Sequence, residues 1–328
     1  MIEKNNAPVL AVDIGGTKIL TALFSADGKM LAKDVAPTLA QEGVDAVISR
    51  LGSAIDNLLE NNRMKPSQVG TISIACAGGI DTGRGVVVTT SPNMTGWVDV
   101  PLGDIIREKF KVDTYVVNDA SAAALGEYRF GAGRGVKNLV LFTMGTGIGG
   151  GIIADGKLYL GAVGGAAELG HMTIDASGPK CGCGNTGCLE MLASGMAISR
   201  DAVRRIKQGD TSYLVSLVEG KLENINAEII GMAAQNGDRL ARDVMARAAY
   251  YLGIGMVNVA NIFNPEMIVI GGGMAELGDM LIEPGRRMVA ERAFSISSRV
   301  VRIVTAQLGN EAGVYGAAAL ALDMRRQE

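Results

Sequence analysis

Long hydrophobic runs, blocks of like charge and an export signal are all missing from this sequence, and each absence removes a class of function. The longest apolar stretches, such as Ala317 to Leu322 and Met267 to Ile270, fall far short of the roughly 18–20 residues that span a bilayer, so no membrane partner is expected. No five or six like charges stand in a row, and the net charge is −3 with a pI near 5.5. A nucleic-acid partner is therefore not expected either. The amino terminus, MIEKNNAPVLAVDIGG, enters a strand pattern without a basic segment, an apolar signal core or a cleavage site, which predicts a cytoplasmic location. Cysteine is scarce at four residues and histidine scarcer at one, too sparse for a disulfide-stapled scaffold.

What is present suits a large globular chain. Of its 328 residues 48% are hydrophobic and 20% charged, and the length exceeds the roughly 100–200 residues of one usual domain, so two domains are expected. The 45 glycines cluster in short runs between β-branched segments, as tight turns do. Residues 8–35 read as an antiparallel meander, with strands Val9–Ile14, Ile19–Phe24 and Met30–Val35 and turns at Gly15-Gly16 and Asp27-Gly28. From Val44, apolar Val47, Ile48, Leu51, Ile55, Leu58 and Leu59 recur at threes and fours and predict a helix. A strand follows at Val69–Cys76. The opening pattern then returns: strand Leu139–Met144, a glycine turn, strand Gly149–Ala154, and the tetrapeptide Ala-Asp-Gly-Lys at 154–157 as at 26–29. This predicts an internal duplication of an α/β unit, with a ligand in the cleft between the halves. Helical patterns over Ala241–Asn261 and Glu311–Met324, and a buried strand Met267–Ile270 ending in Gly271-Gly272-Gly273, complete the chain.

Asp13-Ile14-Gly15-Gly16-Thr17-Lys18 puts an acid at a strand end and bare backbone in the following hairpin, where N–H groups can meet a phosphate. An ordinary hairpin with glycine at positive φ is the alternative. The second hairpin, Thr143 to Gly151, repeats the design around Gly145, Thr146 and Gly147, and two such turns point to a nucleotide. Neither matches the Walker pattern or a dinucleotide fingerprint. The run Gly271–Gly273 suits either close approach of an adenosine or a plain strand-to-helix turn.

The only histidine, His171, and Cys181, Cys183 and Cys188 form a compact set of four nitrogen and sulfur donors, with Gly182, Gly184 and Gly187 allowing tight turns between them. Such a set predicts structural Zn²⁺, all four positions being filled by protein. Cys76, in an apolar strand, reads as a small core residue. Glu168 and Glu190 bracket the cluster, which would hold the two acids in fixed relation. Asn118-Asp119 ends a strand and leads into a helix over Ala120–Tyr128, so Asp119 is either that helix's cap or a general base at a strand end.

These motifs resemble the ROK family of bacterial sugar kinases and sugar-responsive repressors: DIGGTK at 13, SPN at 91 with Trp97, NDASAAALGE at 118, GTGIGGG at 145, ELGH at 168, CGCGNTGCLE at 181 and IGGG at 270. The resemblance covers nearly the whole chain and is nearest to the glucokinase branch. It implies an α/β, actin-like and ribonuclease H-like duplicated ATPase fold, two domains around a central cleft. Residues 1–120 plus about 310–328 would form the smaller domain, and 121–309 the larger, with the zinc loop at 168–190. It implies ATP and Mg²⁺, with a hexose hydroxyl attacking the γ-phosphate. Glucose would be the substrate, N-acetylmannosamine or N-acetylglucosamine the alternative, and polyphosphate a possible second donor. Carried over by position, Asp119 would be the base. Asn93, Asn118, Asp119, Glu168, His171 and Glu190 would surround the sugar, His171 facing both metal and sugar. Asp13, Gly15, Gly16, Thr17, Lys18, Gly145, Thr146 and Gly147 would serve the phosphates, and Gly272 and Gly273 the adenosine. Ser121 replaces a frequent Asn, and Ala77-Gly78-Gly79 a more usual Pro-Gly turn, which blurs the substrate. The resemblance further implies a dimer or tetramer. A sugar-sensing repressor is the reading from another class, disfavoured because such repressors carry a helix-turn-helix ahead of the kinase-like part and only twelve residues precede Asp13 here.

Overall fold

The structure, a computed structural model, describes residues 6–89 and 96–325. Along the chain come strands β1 (Val9–Ile14), β2 (Lys18–Phe24) and β3 (Met30–Pro37), helix α1 (Val44–Asn61), strands β4 (Thr71–Cys76), β5 (Gly79–Asp81) and β6 (Val86–Thr89), helix α2 (Leu102–Phe110), strand β7 (Thr114–Asn118) and helix α3 (Asp119–Phe130). There follow strands β8 (Leu139–Met144), β9 (Ile148–Ala154) and β10 (Lys157–Leu158), then helices α4 (Glu190–Ala193), α5 (Gly195–Lys207), α6 (Leu214–Leu217), α7 (Ala227–Gln235) and α8 (Arg239–Phe263). Strand β11 (Met267–Gly271), helices α9 (Asp279–Arg292) and α10 (Ser295–Ser298), strand β12 (Arg302–Thr305) and helix α11 (Ala312–Arg325) end the chain.

The chain divides into two compact units. The first takes the chain up to Gly135, Gly151–Ala167 and the segment from Asn310 onward; the second takes Val136–Gly150 and Glu168–Gly309. The position 120 falls at the start of α3, and α3 packs with the first unit.

In the first unit β1 and β2 pair antiparallel, from Val9 opposite Phe24 to Ile14 opposite Ile19, and β3 extends the meander. Strands β4 and β7 then join in parallel, giving the order β3-β2-β1-β4-β7. Leu10, Val12 and Ile14 of β1 and Ile72 and Ile74 of β4 share one core with Val47, Leu51, Ile55 and Leu58 of α1, the face set by the three-and-four spacing. Burying each of these leucines and isoleucines contributes ~1.5–3 kcal/mol. Helix α11 lies against β1 and β4, with α3 packed along it. These two helices are rich in alanine and glycine, and their backbones touch. A Cβ on Gly126 would strike the carbonyl of Ala312, and one on Gly316 the carbonyl of Ala122.

In the second unit β8, β11 and β12 run parallel, Leu139 beside Met267 and Met267 beside Arg302. Strand β9 starts next to β8 in this unit with Ile148–Gly150 and continues into the first, where Ile153 and Ala154 pair with Leu158 and Lys157 of β10. The order β10-β9-β8-β11-β12 repeats that of the other sheet: three strands consecutive in sequence, then two that join in parallel. The repeated Ala-Asp-Gly-Lys occupies the same turn in both, with Gly28 at φ 86° and Gly156 at φ 76°, left-handed values that favour glycine. Helix α8, capped by Asp238 through Ala241 N–H at 2.8 Å, packs against α5, α7 and α9. Among the described residues no helix is long and apolar enough to cross a membrane.

Candidate active site

Parallel register sets Ile14, Cys76 and Asn118 level across β1, β4 and β7. The turn at Gly15, the loop at Ala77-Gly78 and Asp119 therefore leave the sheet at one edge, outside the carboxyl ends of the strands, where α/β sheets bind ligands. Asn118, and not Asp119, caps α3: its Oδ1 accepts from the N–H groups of Ala120 and Ser121, each at 3.0 Å. Its Nδ2 donates at 3.1 Å both to the carbonyl of Gly78 and to Asp119 Oδ1, which also accepts from Ala120 N–H at 2.9 Å. The cap is thus provided by the neighbour, and Asp119 is oriented by it.

Burial raises the Asp119 carboxyl above its ordinary range against the lowering effect of these hydrogen bonds. Asp13 rises to about 7, first through burial and then through the negative charge of Asp119, with Lys18 opposing. Two carboxylates that repel each other in a partly desolvated setting hold protons near neutral pH, as acid–base groups must. Asp13 rests against the first turn of α11, where a Cβ on Gly313 would collide with its carboxyl group. Cys76 is a buried core thiol, as expected.

In the first unit Gly15 N–H donates to the Lys18 carbonyl at 3.0 Å, and Thr38 Oγ1 donates to the Gly15 carbonyl at 2.6 Å. In the second unit Gly145 N–H donates to the Gly147 carbonyl at 3.0 Å. None of Gly15, Gly16, Gly145 and Gly147 has a positive φ, so the ordinary-hairpin explanation for these glycines does not hold. Nothing lies within 4 Å of where a Gly145 Cβ would stand, and at Gly15 only the Lys18 carbonyl does, at 3.6 Å. Bare N–H groups facing open space are what a phosphate requires.

Gly145 and Thr146 open onto a cavity of about 910 Å³, which Glu190 and Gly273 also line, within the size range of nucleotide sites. Its walls include Asn226 and Gln235 at the ends of α7 and the apolar Met196, Met232 and Met274, none of which the sequence motifs marked. The glycine run splits between the two readings open for it. Gly272, at φ 82°, is pressed against the Met144 backbone and serves the turn, while Gly273 has open space and faces the cavity.

The four donors of His171, Cys181, Cys183 and Cys188 all lie within 4.8 Å of one another. His171 Nδ1 stands 3.6 Å from Cys181 Sγ, and the sulfurs of Cys183 and Cys188 are 3.8 Å apart, the edge expected of a tetrahedron with metal–sulfur bonds of about 2.3 Å. Burial, then the adjoining Cys181 and Cys183, push the Cys188 thiol up to about 12. A divalent cation at the centre removes that penalty, so the donor set fits zinc. Of the three glycines, Gly184 at φ 92° and Gly187 at φ 68° make left-handed turns, and Gly182 does not. The other ring nitrogen, His171 Nε2, faces Glu168 Oε2 at 4.0 Å. Glu190 turns instead to the hairpin, accepting from Ile148 N–H at 2.9 Å.

The structure therefore brings Asp13, Gly15, Asn118 and Asp119 to one sheet edge of the first unit, with Gly16, Thr17 and Lys18 in the adjoining hairpin. It gathers Gly145, Thr146, Gly147, Glu168, His171, Glu190, Gly272 and Gly273 in the second. Asn93 lies outside the described residues.

Comparison with known proteins adds three likenesses. The sequence pattern described as the ROK family matches residues 9–324. A glucokinase of Halalkalibacterium halodurans is 38% identical over 94% of this chain and 92% of its own length. A xylose repressor of Caldicellulosiruptor bescii is 32% identical over 98% of this chain and 79% of its own. The crystal structure of a ROK family glucokinase from Streptomyces griseus in complex with glucose and AMPPNP superimposes with a TM-score of 0.81 at 34% identity, covering 98% of this chain and 100% of that one.

Proposed function

The chain belongs to the ROK family, and from that premise we propose that it phosphorylates a hexose with ATP, converting glucose to glucose 6-phosphate, with Asp119 as general base. The observation that carries this reading is the state of Asp119: relieved of capping by Asn118, oriented through its Oδ1, and raised in pKa by burial. The Asp119 carboxylate takes the proton of the sugar's 6-hydroxyl. The new bond forms between that oxygen and the γ-phosphorus as the bond from phosphorus to the β,γ-bridging oxygen breaks and ADP departs.

Backbone N–H groups of the two glycine hairpins, with Asp13, Gly16, Thr17, Lys18 and Gly147 around them, position the phosphates, and the cavity beside Gly273 takes the adenosine. Mg²⁺ when bound would neutralise charge on the phosphates. Asn93, Asn118, Glu168, His171 and Glu190 pair with sugar hydroxyls, so that a wrong epimer leaves buried polar groups unmatched. Zn²⁺ held by His171, Cys181, Cys183 and Cys188 would keep that loop in shape.

A coupled assay for ADP release across glucose, N-acetylmannosamine and N-acetylglucosamine, with ATP and with polyphosphate, tests the reading; no turnover with any of them defeats it. The second reading, a sugar-responsive regulator, draws on the xylose repressor's match over 98% of this chain, and it predicts sugar binding without ADP release. The proposal includes a homodimer or homotetramer, which light scattering measures.

A further inference from the structure

Ile148, the residue after the hairpin Gly145–Gly147, is gripped by both arms of the loop that carries the metal donors. On the entering arm, Gly170 directly precedes His171 and lies so close to the Ile148 carbonyl that a Cβ there would collide with it. On the leaving arm, Glu190 stands two residues after Cys188, and its Oε2 accepts from Ile148 N–H at 2.9 Å. The same oxygen occupies the place a Cβ on Gly147 would take. The chain beyond Glu190 adds two more ties, Gly195 N–H to the Gly145 carbonyl at 2.9 Å and Met196 N–H to the Thr146 carbonyl at 3.2 Å. Beneath Glu190 the loop is closed by Leu189 N–H to the Met172 carbonyl at 2.9 Å and by the pairing of Thr173 with Cys188. Against these ties the hairpin's own bond across the turn, from Gly145 to Gly147, sets little of its shape.

We infer that Glu190 is a positioning residue for the hairpin Gly145–Ile148, through which the metal-bearing loop holds the backbone that receives the nucleotide phosphates. The inference deepens the kinase reading and rests on it for the identity of the ligand. With Oε2 committed to Ile148, Oε1 is the oxygen that meets a sugar hydroxyl, so one carboxylate ties sugar binding to phosphate placement.

The test compares the full-length protein with Glu190→Ala, Glu190→Gln and Glu190→Asp. Amide exchange at Ile148 is followed without substrates, and binding of Mg-AMPPNP and of glucose is measured separately by calorimetry. Losing a hydrogen bond to a charged acceptor should speed Ile148 exchange by about tenfold or more and weaken AMPPNP by a similar factor in Glu190→Ala. Glu190→Gln, which keeps a carbonyl acceptor, should restore most of both. If the alanine protein does not fold, Glu190→Asp carries the same expectation because it is one methylene too short to reach. Ile148 exchange and AMPPNP affinity that stay within about twofold of the parent while glucose affinity falls would make Glu190 a sugar ligand only and overturn the inference. If the parent binds no nucleotide the kinase reading fails, and Ile148 exchange still decides whether Glu190 positions the hairpin.

Discussion

Replacing Asp119 by asparagine removes a proton acceptor and leaves its surroundings in place. The asparagine Oδ1 can keep the bonds from Asn118 Nδ2 at 3.1 Å and Ala120 N–H at 2.9 Å, so α3 and its cap should not move. Turnover should fall by about 10²–10⁴, the usual contribution of a positioned general base, with sugar affinity nearly unchanged. Stability should respond in the opposite direction, and the sign follows from Asp13. Its folded pKa of about 7 lies above the model value of 3.8, so the folded state holds that proton more tightly than the unfolded one. Stability is therefore full below pH 3.8, declines as pH rises through the window, and carries the whole penalty above about 7. Each unit of such a shift corresponds to about 1.4 kcal/mol. Asp119's charge is the second cause of the shift after burial, so neutralising it should return on the order of 1 kcal/mol at pH 8 and little at pH 4. Calorimetric Tm values at both pH values, with kcat from the coupled assay, read this. Turnover within about tenfold of the parent refutes the assignment; so does a Tm lowered by several degrees at pH 8, because the lost activity would then reflect damage to the fold.

Chelation should release one zinc per chain, counted by elemental analysis, lower Tm and weaken both glucose and AMPPNP; glucose alone weakening would separate the loop from the hairpin. Gly313→Ala, on α11, should displace the Asp13 carboxyl it would strike and reduce kcat without touching substrate; unchanged kcat would mean that the exact place of Asp13 is unimportant. Gly272→Ala combines φ 82° with a collision against Met144 and should cost about 1–3 kcal/mol in urea unfolding; a neutral result would show that the turn yields. Leu51→Ala, in the core under α1, should cost about 2–5 kcal/mol by the same measurement.

Much of the fold was legible before any coordinates. The meander, α1, α8, β11 and α11 follow from apolar periods of two and three-to-four, which are local properties, and the repeated Ala-Asp-Gly-Lys marked the duplication because both copies need the same left-handed turn. Strand ends shifted by one or two residues, as at β4, which begins at Thr71 and not Val69, since a boundary depends on which N–H finds a partner across the sheet. The wall of the large cavity stayed hidden. Asn226, Gln235 and the three methionines come from helical segments with no motif, and only packing turns them to one side.

The sequence by itself determined the residue types and spacings that chemistry demands: two bare-backbone hairpins, four soft donors around three glycines, an acid at a strand end, and membership of a family. It left open whether Asp119 caps or reacts, whether the hairpin glycines answer to φ or to space, and what Glu190 touches. Tertiary structure decided these by giving the cap to Asn118, by leaving Gly145 facing open space with no positive φ, and by carrying Glu190 across 42 positions to Ile148. The physical reason is range: turns and periodicities are written in neighbouring residues, whereas who desolvates or hydrogen-bonds a side chain depends on segments distant in the chain.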